Sequence, residues 1–447
     1  MLEYYITDSQ SKLLISSEKY LEPIKNIASK SNLPVFVVDH CIFSGPSAIS
    51  QHQLLESNFF SSNSGSENER ALIIYTSGTT GRPKGVVLNH GTLFSQTSAV
   101  IKMWNITEKD AILHSLPLHH IHGIMNALLC LLKAGGTVVM QQKFNSVEAW
   151  KHFLKMDNKP TVNLFFAVPT MYAKLVQEFE KVGLTESKAR EQCLKSMRLM
   201  CSGSASLPVP VFYRWEDITG HRIVERFGMS EIGMALSTTL EGPRQAGTVG
   251  IPLPDVEIKI RKINDDSTAE VADLVVGDHS EVKILSKNGT SGELLVRGPN
   301  VFKEYWNKEK ATTEAFTEDR WFQTGDTACF EDGAFKILGR SSVDIIKSGG
   351  YKISALEVES CLLRHPDIIE CTVFGLPDDV WGERVATLII FKNGKEVIDS
   401  ELKTWCKQYI PPYTVPTIIK HVNEIPRNVL GKVNKKELRA KYSPSKK

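Results

Sequence analysis

No two of the eight cysteines in this 447-residue chain stand at C-x-x-C spacing, and none has the spacing of a metal-ligand set. That argues against zinc-ribbon and thioredoxin-like chemistry. Cys41, Cys130, Cys193, Cys201, Cys329, Cys361, Cys371 and Cys406 mostly follow or sit in apolar runs, so they read as buried free thiols of a reducing compartment. No apolar run is long enough to cross a bilayer. The best candidate, IMNALLCLLKAGGTVVM (124–140), is broken by Lys133, Gly135 and Gly136. Charge of one sign is also lacking, since 53 Lys and Arg against 51 Asp and Glu leave +2. Neither nucleic acid nor an integral membrane contact is expected of such a balance. The start, MLEYYITDSQ, has no basic or Arg-rich leader pattern, so no secretory or organellar signal is visible in it. There is no internal repeat.

The length predicts two or three domains. Apolar runs at PVFVVD (34–39), ALIIYTSG (71–78), GGTVVM (135–140), TVNLFFAVP (161–169) and MRLMCSG (197–203) alternate with amphipathic helical patterns at 146–155 and 169–182. Such alternation predicts an α/β fold with a largely parallel sheet. From about 245 to 340 the texture changes to short alternating strands with Gly and Pro turns, as in a β-barrel-like subdomain. Beyond it, a helix at 355–366, strands at 370–375 and 385–391 and a helix at 400–409 predict a small α+β domain. The expected division is 1–340 and 341–447.

YTSGTTGRPKG (75–85) is the most informative stretch. It is not the usual P-loop, because Arg82 and Pro83 separate Gly81 from Lys84 and no Ser or Thr follows the lysine. Thr76, Ser77, Gly78, Thr79, Thr80 and Gly81 still offer hydroxyls and unhindered N–H groups to a phosphate, and Lys84 adds a charge.

The stretch resembles the phosphate loop of the adenylate-forming enzymes, among them acyl-CoA synthetases and peptide-synthetase adenylation domains. Further motifs follow in that family's order. SGSASLP (202–208) is similar to the loop beside adenine and acyl chain, giving Ser204 and Ala205; ERFGMSE (225–231) is similar to its YGMTE motif. The resemblance implies that Phe227 stacks on adenine next to Gly228, Ser230 contacts the α-phosphate and Glu231 holds Mg²⁺. It makes Asp326, closing RWFQTGD, and Arg340, in GRSSVDIIKSGGYKIS, the ribose-binding pair. Ser342 stands at the hinge, where the family usually has Asp or Lys. Gly349, Gly350 and Tyr351 match the segment near the CoA pantetheine, and Lys432 of PRNVLGKV matches the lysine that serves adenylation. The implied cosubstrates are ATP and CoA with Mg²⁺, and the implied fold has a large AMP-binding domain and a small mobile one.

Arg226 is the departure that bears on the acid. Many fatty-acyl and aryl members have a small residue there, whereas a guanidinium can grip a second carboxylate. A charged hydrogen bond contributes about 1.5–3 kcal/mol, and an unmatched buried guanidinium costs about 3–5 kcal/mol. At about 1.4 kcal/mol per decade, a short diacid gains two to three orders of magnitude over a monoacid. LPLHHIHGIMNALLC (116–130), VERFGMSEIGMALS (224–237), AGTVGIPLPDVE (246–257) and VDIIKSGGYKISALEVE (343–359) closely resemble malonyl-CoA synthetases. The resemblance implies malonate or methylmalonate as substrate and the mitochondrial matrix as location, or the cytoplasm if the chain is expressed as it stands. His120 and Arg198 are further acyl-site candidates. Two alternatives stay open: a medium-chain fatty acyl-CoA synthetase with a structural Arg226, and an inactive homologue with only a binding role. Family members usually carry a longer stretch before the phosphate loop, so the first part of the N-terminal domain is expected to be missing here.

Overall fold

The computed structural model describes residues 2–38, 66–76, 82–179, 185–242, 244–263, 272–287, 289–392, 395, 397–427 and 433–443. The chain forms two compact units, Met1–Phe94 with Phe302–Thr313, and Ser95–Val301 with Glu314–Lys447.

In the first unit the strands Leu14–Ser17 and Val35–Val38 pair in parallel. A parallel pair needs a crossover, supplied here by the helix Leu21–Ser31. A three-stranded antiparallel sheet orders Glu304–Tyr305, Lys84–Asn89 and Arg70–Thr76. Thr76 and Lys84 are register partners at one end of it.

The second unit holds a seven-stranded sheet ordered Ile251–Pro252, Gly233–Ser237, Val224–Met229, Leu199–Ser202, Leu164–Ala167, Ala111–His114, Thr137–Met140. The last five run parallel and the first two are antiparallel additions at one edge. Leu164–Ala167 and Leu199–Ser202 are buried at every residue, as strands covered on both faces must be. The helices Ser146–Phe153, Pro169–Phe179 and Val209–Thr219 bring Trp150, Tyr172 and Trp215 together. Ring centroids lie 5.4 Å apart for Trp150–Trp215 and 4.9 Å for Tyr172–Trp215. Each such side chain contributes about 1.5–3 kcal/mol on burial, which holds these helices together, and Tyr172 also packs on Phe165 of the sheet.

The β-rich stretch is an antiparallel sheet of six strands, ordered Val282–Ile284, Asp273–Gly277, Glu257–Arg261, Gly292–Arg297, Phe322–Glu331, Ala334–Arg340. After it come Ile345–Ser348, Tyr351–Ser354, Ile368–Asp378, Gly382–Phe391 and Ile418–His421 in one sheet. Val373, Val385, Ile389 and Leu402 anchor one buried cluster of this region, and Phe374, Leu388 and Leu438 another. Two expected strands are longer than their apolar runs. Pairing continues from Leu376↔Arg384 to Asp378↔Gly382, because backbone hydrogen bonds do not require apolar side chains. The helix expected at 355–366 spans Ala355–Leu362; Pro366 disfavours helix in the residue before it.

Among the described residues no helix is long and apolar enough to cross a membrane. Seven cysteines are free and all but Cys371 are buried, while Cys41 lies outside the described residues.

Candidate active site

Parallel strands of an open α/β sheet present ligand sites at their carboxyl ends. There Leu199–Ser202 leads into Gly203, Ser204 and Ala205, and the adjacent Val224–Met229 carries Arg226, Phe227 and Gly228 toward Ser230 and Glu231. The Arg226 side chain lies directly over Gly203, where a Cβ would stand 2.3 Å from its Nε. Arg226 is only 4% exposed, and no carboxylate among the described residues pairs with it. Its Nη2 donates to Ser204 Oγ at 3.4 Å, and its Nε has no partner. Burial lowers its pKa, with the neighbouring Cys201 thiol acting in the opposite direction; an arginine remains charged through such a shift.

Ser204 Oγ is also 3.3 Å from Nδ1 of His122. His122 is buried at the start of the π-helical turns His122–Leu129, an irregularity common at functional sites. Burial first, and then the charge of Arg226, hold its pKa well below the usual value, so the ring is neutral. Its Nε2 has no partner. An unsatisfied buried polar atom costs about 1–3 kcal/mol. Two such atoms lie near Ser204, and the one on the guanidinium carries a positive charge that an anion would match. Gly203→Ala is therefore expected to displace Arg226, lower stability by about 1–3 kcal/mol, and raise KM for an acid that uses the guanidinium. Thermal melts and steady-state kinetics on the variant check both.

Glu225 precedes Arg226 but serves the fold. It is buried and accepts from Gly247 N–H at 2.8 Å; burial pushes its pKa up to about 8. The sign follows from proton counting. From about pH 4.5 to 8 the folded carboxyl keeps a proton that the unfolded chain has released. Stability therefore falls as pH rises through that window, by about 1.4 kcal/mol per unit at most. Glu225→Gln should remove this dependence, so its melting temperature relative to the parent rises from pH 5 to pH 8. Melts across that range test it.

Asp326 and Arg340 are opposed on neighbouring strands, with Arg340 Nε 3.1 Å from Asp326 Oδ1. Arg340 Nη1 also donates to Thr324 O at 2.8 Å, which fixes the guanidinium. The other carboxylate oxygen, Oδ2, is buried without a partner. Burial raises the Asp326 pKa to about 6 against the pull of Arg340, and the charges of Asp344 and Glu231 raise it further. Glu231 is 5% exposed and close enough to be felt there. The buried Glu231 carboxylate is of the kind that suits a hard cation such as Mg²⁺, which takes one or two carboxylates and completes its shell with phosphates and water. Gly228 permits the tight hairpin that carries Ser230 and Glu231, since a Cβ there would lie 2.0 Å from Gly233 O.

Gly349 (φ +55) and Gly350 (φ +83) form the two-residue turn between Ile345–Ser348 and Tyr351–Ser354. Positive φ at both positions is what this hairpin turn demands. Tyr351 stacks on Tyr413 with ring centroids 4.1 Å apart. Ser342 is exposed on the turn after Arg340. In the first unit, Thr76 Oγ1 is 3.5 Å from Lys84 O, and Lys84 Nζ sits 4.2 Å from the centre of the Tyr305 ring. Ser77, Gly78, Thr79, Thr80, Gly81 and Lys432 lie outside the described residues.

Arg198 is a correction. It precedes Leu199–Ser202, at the opposite end of the strand from Ser204. Its guanidinium is committed to Asp110 (2.7 Å from Nε) and to the carbonyls of Trp104 and Asn105, so it closes strand ends and does not reach the acyl site. His120 is partly exposed, near enough for its charge to act on His122. The residue that reaches Arg226 and Ser204 is His122, which the sequence reading missed. Its only signal was the second histidine of H-x-H-G (120–123).

The model of the AMP-binding enzyme family matches residues 1–306, and that of the AMP-binding enzyme C-terminal domain matches 357–432. The chain belongs to the AMP-binding enzyme family. It is 46% identical to a Xenopus laevis protein named mitochondrial malonate–CoA ligase ACSF3, over 99% of this chain and 77% of that protein. It is similar in structure to ATP-bound MatB from Rhodopseudomonas palustris, with a TM-score of 0.82 and 29% identity over 99% of this chain and 81% of the other. A malonyl-CoA ligase with methylmalonyl-CoA and AMP bound is 32% identical at a TM-score of 0.61, over 95% of this chain and 83% of the other.

Proposed function

We propose that this chain joins malonate to CoA, with methylmalonate as a second substrate, at the expense of ATP. One malonate carboxylate oxygen attacks the α-phosphorus, the bond to the β-phosphate oxygen breaks, and pyrophosphate leaves. The CoA thiol, as it loses its proton, then attacks the acyl carbon of malonyl-AMP, and AMP departs. A carboxylate is a poor electrophile, so the first step depends on positioning and on charge placed around the α-phosphate.

Arg226 carries the reading: a buried, charged side chain without a carboxylate, set beside neutral His122 and Ser204. In this proposal it grips the carboxylate that does not react. Ser204 and Ala205 flank the acyl-adenylate, Phe227 stacks on adenine beside Gly228, and Ser230 holds the α-phosphate. Asp326 Oδ2 accepts from the ribose, with Arg340 fixing Asp326. Lys432 and the loop from Thr76 to Lys84 neutralise the phosphates. Glu231 would hold Mg²⁺, which when bound screens the phosphate charge. The Gly349–Tyr351 hairpin receives CoA, residues 1–340 and 341–447 move about Ser342 between the two steps, and His120 borders the acyl pocket. The relative named as mitochondrial supports a mitochondrial location, which in this proposal is the matrix.

Pyrophosphate exchange into ATP, measured with malonate, methylmalonate and octanoate in turn, tests the proposal. Exchange is expected to be about two to three orders of magnitude more efficient with the two diacids than with octanoate. Octanoate as the sole substrate overturns the malonate assignment.

A further inference from the structure

The side chain of Lys435 is only 11% exposed, yet it belongs to the solvent-facing helix Lys435–Tyr442. Its Nζ lies 2.6 Å from Asp344 Oδ1 and 2.8 Å from Glu359 Oε1. The two carboxylates lead in different directions. Glu359 accepts from Val373 N–H at 2.8 Å and from the Thr372 hydroxyl at 3.3 Å, so it ties the ammonium to the C-terminal sheet. Asp344 uses its other oxygen, Oδ2, to accept from Arg340 N–H at 3.0 Å. Arg340 in turn fixes Asp326, the buried carboxylate with the unpartnered oxygen. The turn between Arg340 and Asp344 is compact: Asp344 N–H donates back to Arg340 O at 2.8 Å. It also allows no bulk at its base, since a Cβ on Gly339 would meet Asp344 Cβ at 2.4 Å.

A buried ammonium is costly unless geometry and further hydrogen bonds repay its desolvation. Glu359 accepts one of the three ammonium N–H groups and Asp344 a second, so the pair together meets the need of the buried charge. The second carboxylate, which spans to the strand carrying Arg340, gives the ammonium a path to the nucleotide site.

We infer that Lys435 is a positioning residue for nucleotide binding: through Asp344 it holds the backbone of Arg340, and thereby the guanidinium that aims Asp326. This rests on the assignment of Asp326 and Arg340 to the nucleotide, and not on the identity of the acid. The Lys435 ammonium is engaged by Asp344 and Glu359, so it acts through them. Because Asp344 makes contacts on both sides of the Ser342 turn, a change at either member of the pair is felt at Arg340 without altering any residue that lines the pocket.

The test measures ATP affinity by equilibrium titration, together with KM for ATP and kcat in pyrophosphate exchange. Lys435→Met should weaken ATP binding roughly tenfold and raise KM for ATP by a like factor, with kcat changed less than threefold. Lys435→Arg, which keeps the charge, should restore most of the affinity. Glu359→Gln should lower the melting temperature and leave ATP affinity within about twofold. If Lys435→Met does not fold, Asp344→Ala decides, since it leaves Lys435 paired with Glu359 and should show the same affinity loss. ATP bound by the folded Lys435→Met or Asp344→Ala protein as tightly as by the parent overturns the inference. So does an equal affinity loss in Glu359→Gln, which would make the ammonium a general prop. Titration with ATP alone needs no acid, so a failed malonate assignment leaves this result readable.

Discussion

Arg226→Gly is expected to lower kcat/KM for malonate by about 10²–10³ and to leave octanoate adenylation intact or improved. The reason is the asymmetry of the site. With malonate bound, the guanidinium exchanges an unpartnered Nε and a weak 3.4 Å contact to Ser204 for a charged pair. With a fatty acid bound, the same group stays buried and unmatched against a methyl terminus. Removing it takes away the gain for one substrate and the cost for the other. The measurement is kcat/KM by pyrophosphate exchange on both acids. Equal losses for malonate and octanoate would make Arg226 architectural, and the malonate reading would fall. Lysine is not a conservative replacement, since it lacks the fork that reaches both Ser204 and a carboxylate.

Asp326→Ala should raise KM for ATP about 10²-fold, each lost charged hydrogen bond to a ribose hydroxyl accounting for about 1.5–3 kcal/mol. The parent enzyme should carry a pH signature of the same group. Burial puts the Asp326 pKa at about 6, so the carboxylate is ionised above that pH and protonated below it. kcat/KM for ATP should therefore fall as pH drops below about 6, and in Asp326→Ala that limb should vanish. A limb unchanged in the variant would assign the titration to another group. The raised pKa also means that stability falls as pH rises from the ordinary carboxylate range to about 6 and stays lowered above it, the same sign as Glu225. Both are examples of a site or fold keeping a carboxyl where burial disfavours its charge.

Much of the candidate site was legible in the chain because its motifs are local. Gly228, Ser230 and Glu231 lie on one hairpin, and Gly349 with Gly350 forms one two-residue turn. Short motifs of this kind carry their own geometry, since φ > 0 and close backbone approach dictate glycine within a few residues. The fold class was legible too, from buried runs alternating with amphipathic helices. Strand lengths past residue 368 were not, because Leu376↔Arg384 and Asp378↔Gly382 pair through backbone groups that every residue has.

By itself, then, the sequence determined the family of chemistry and singled out the Arg226 guanidinium. Only the tertiary structure decided which residues share that guanidinium's space. Arg198 and Arg226 are equally arginine in sequence; Asp110, 88 positions away, claims the first, while nothing acidic among the described residues meets the second. His122 gains its place, and not His120, because a helix start is packed 82 positions from Ser204 in the chain. Lys435 reaches Asp344 across 91 positions. Charge pairing and burial depend on distance in space, and no local pattern of residues encodes a contact between segments so far apart in the chain.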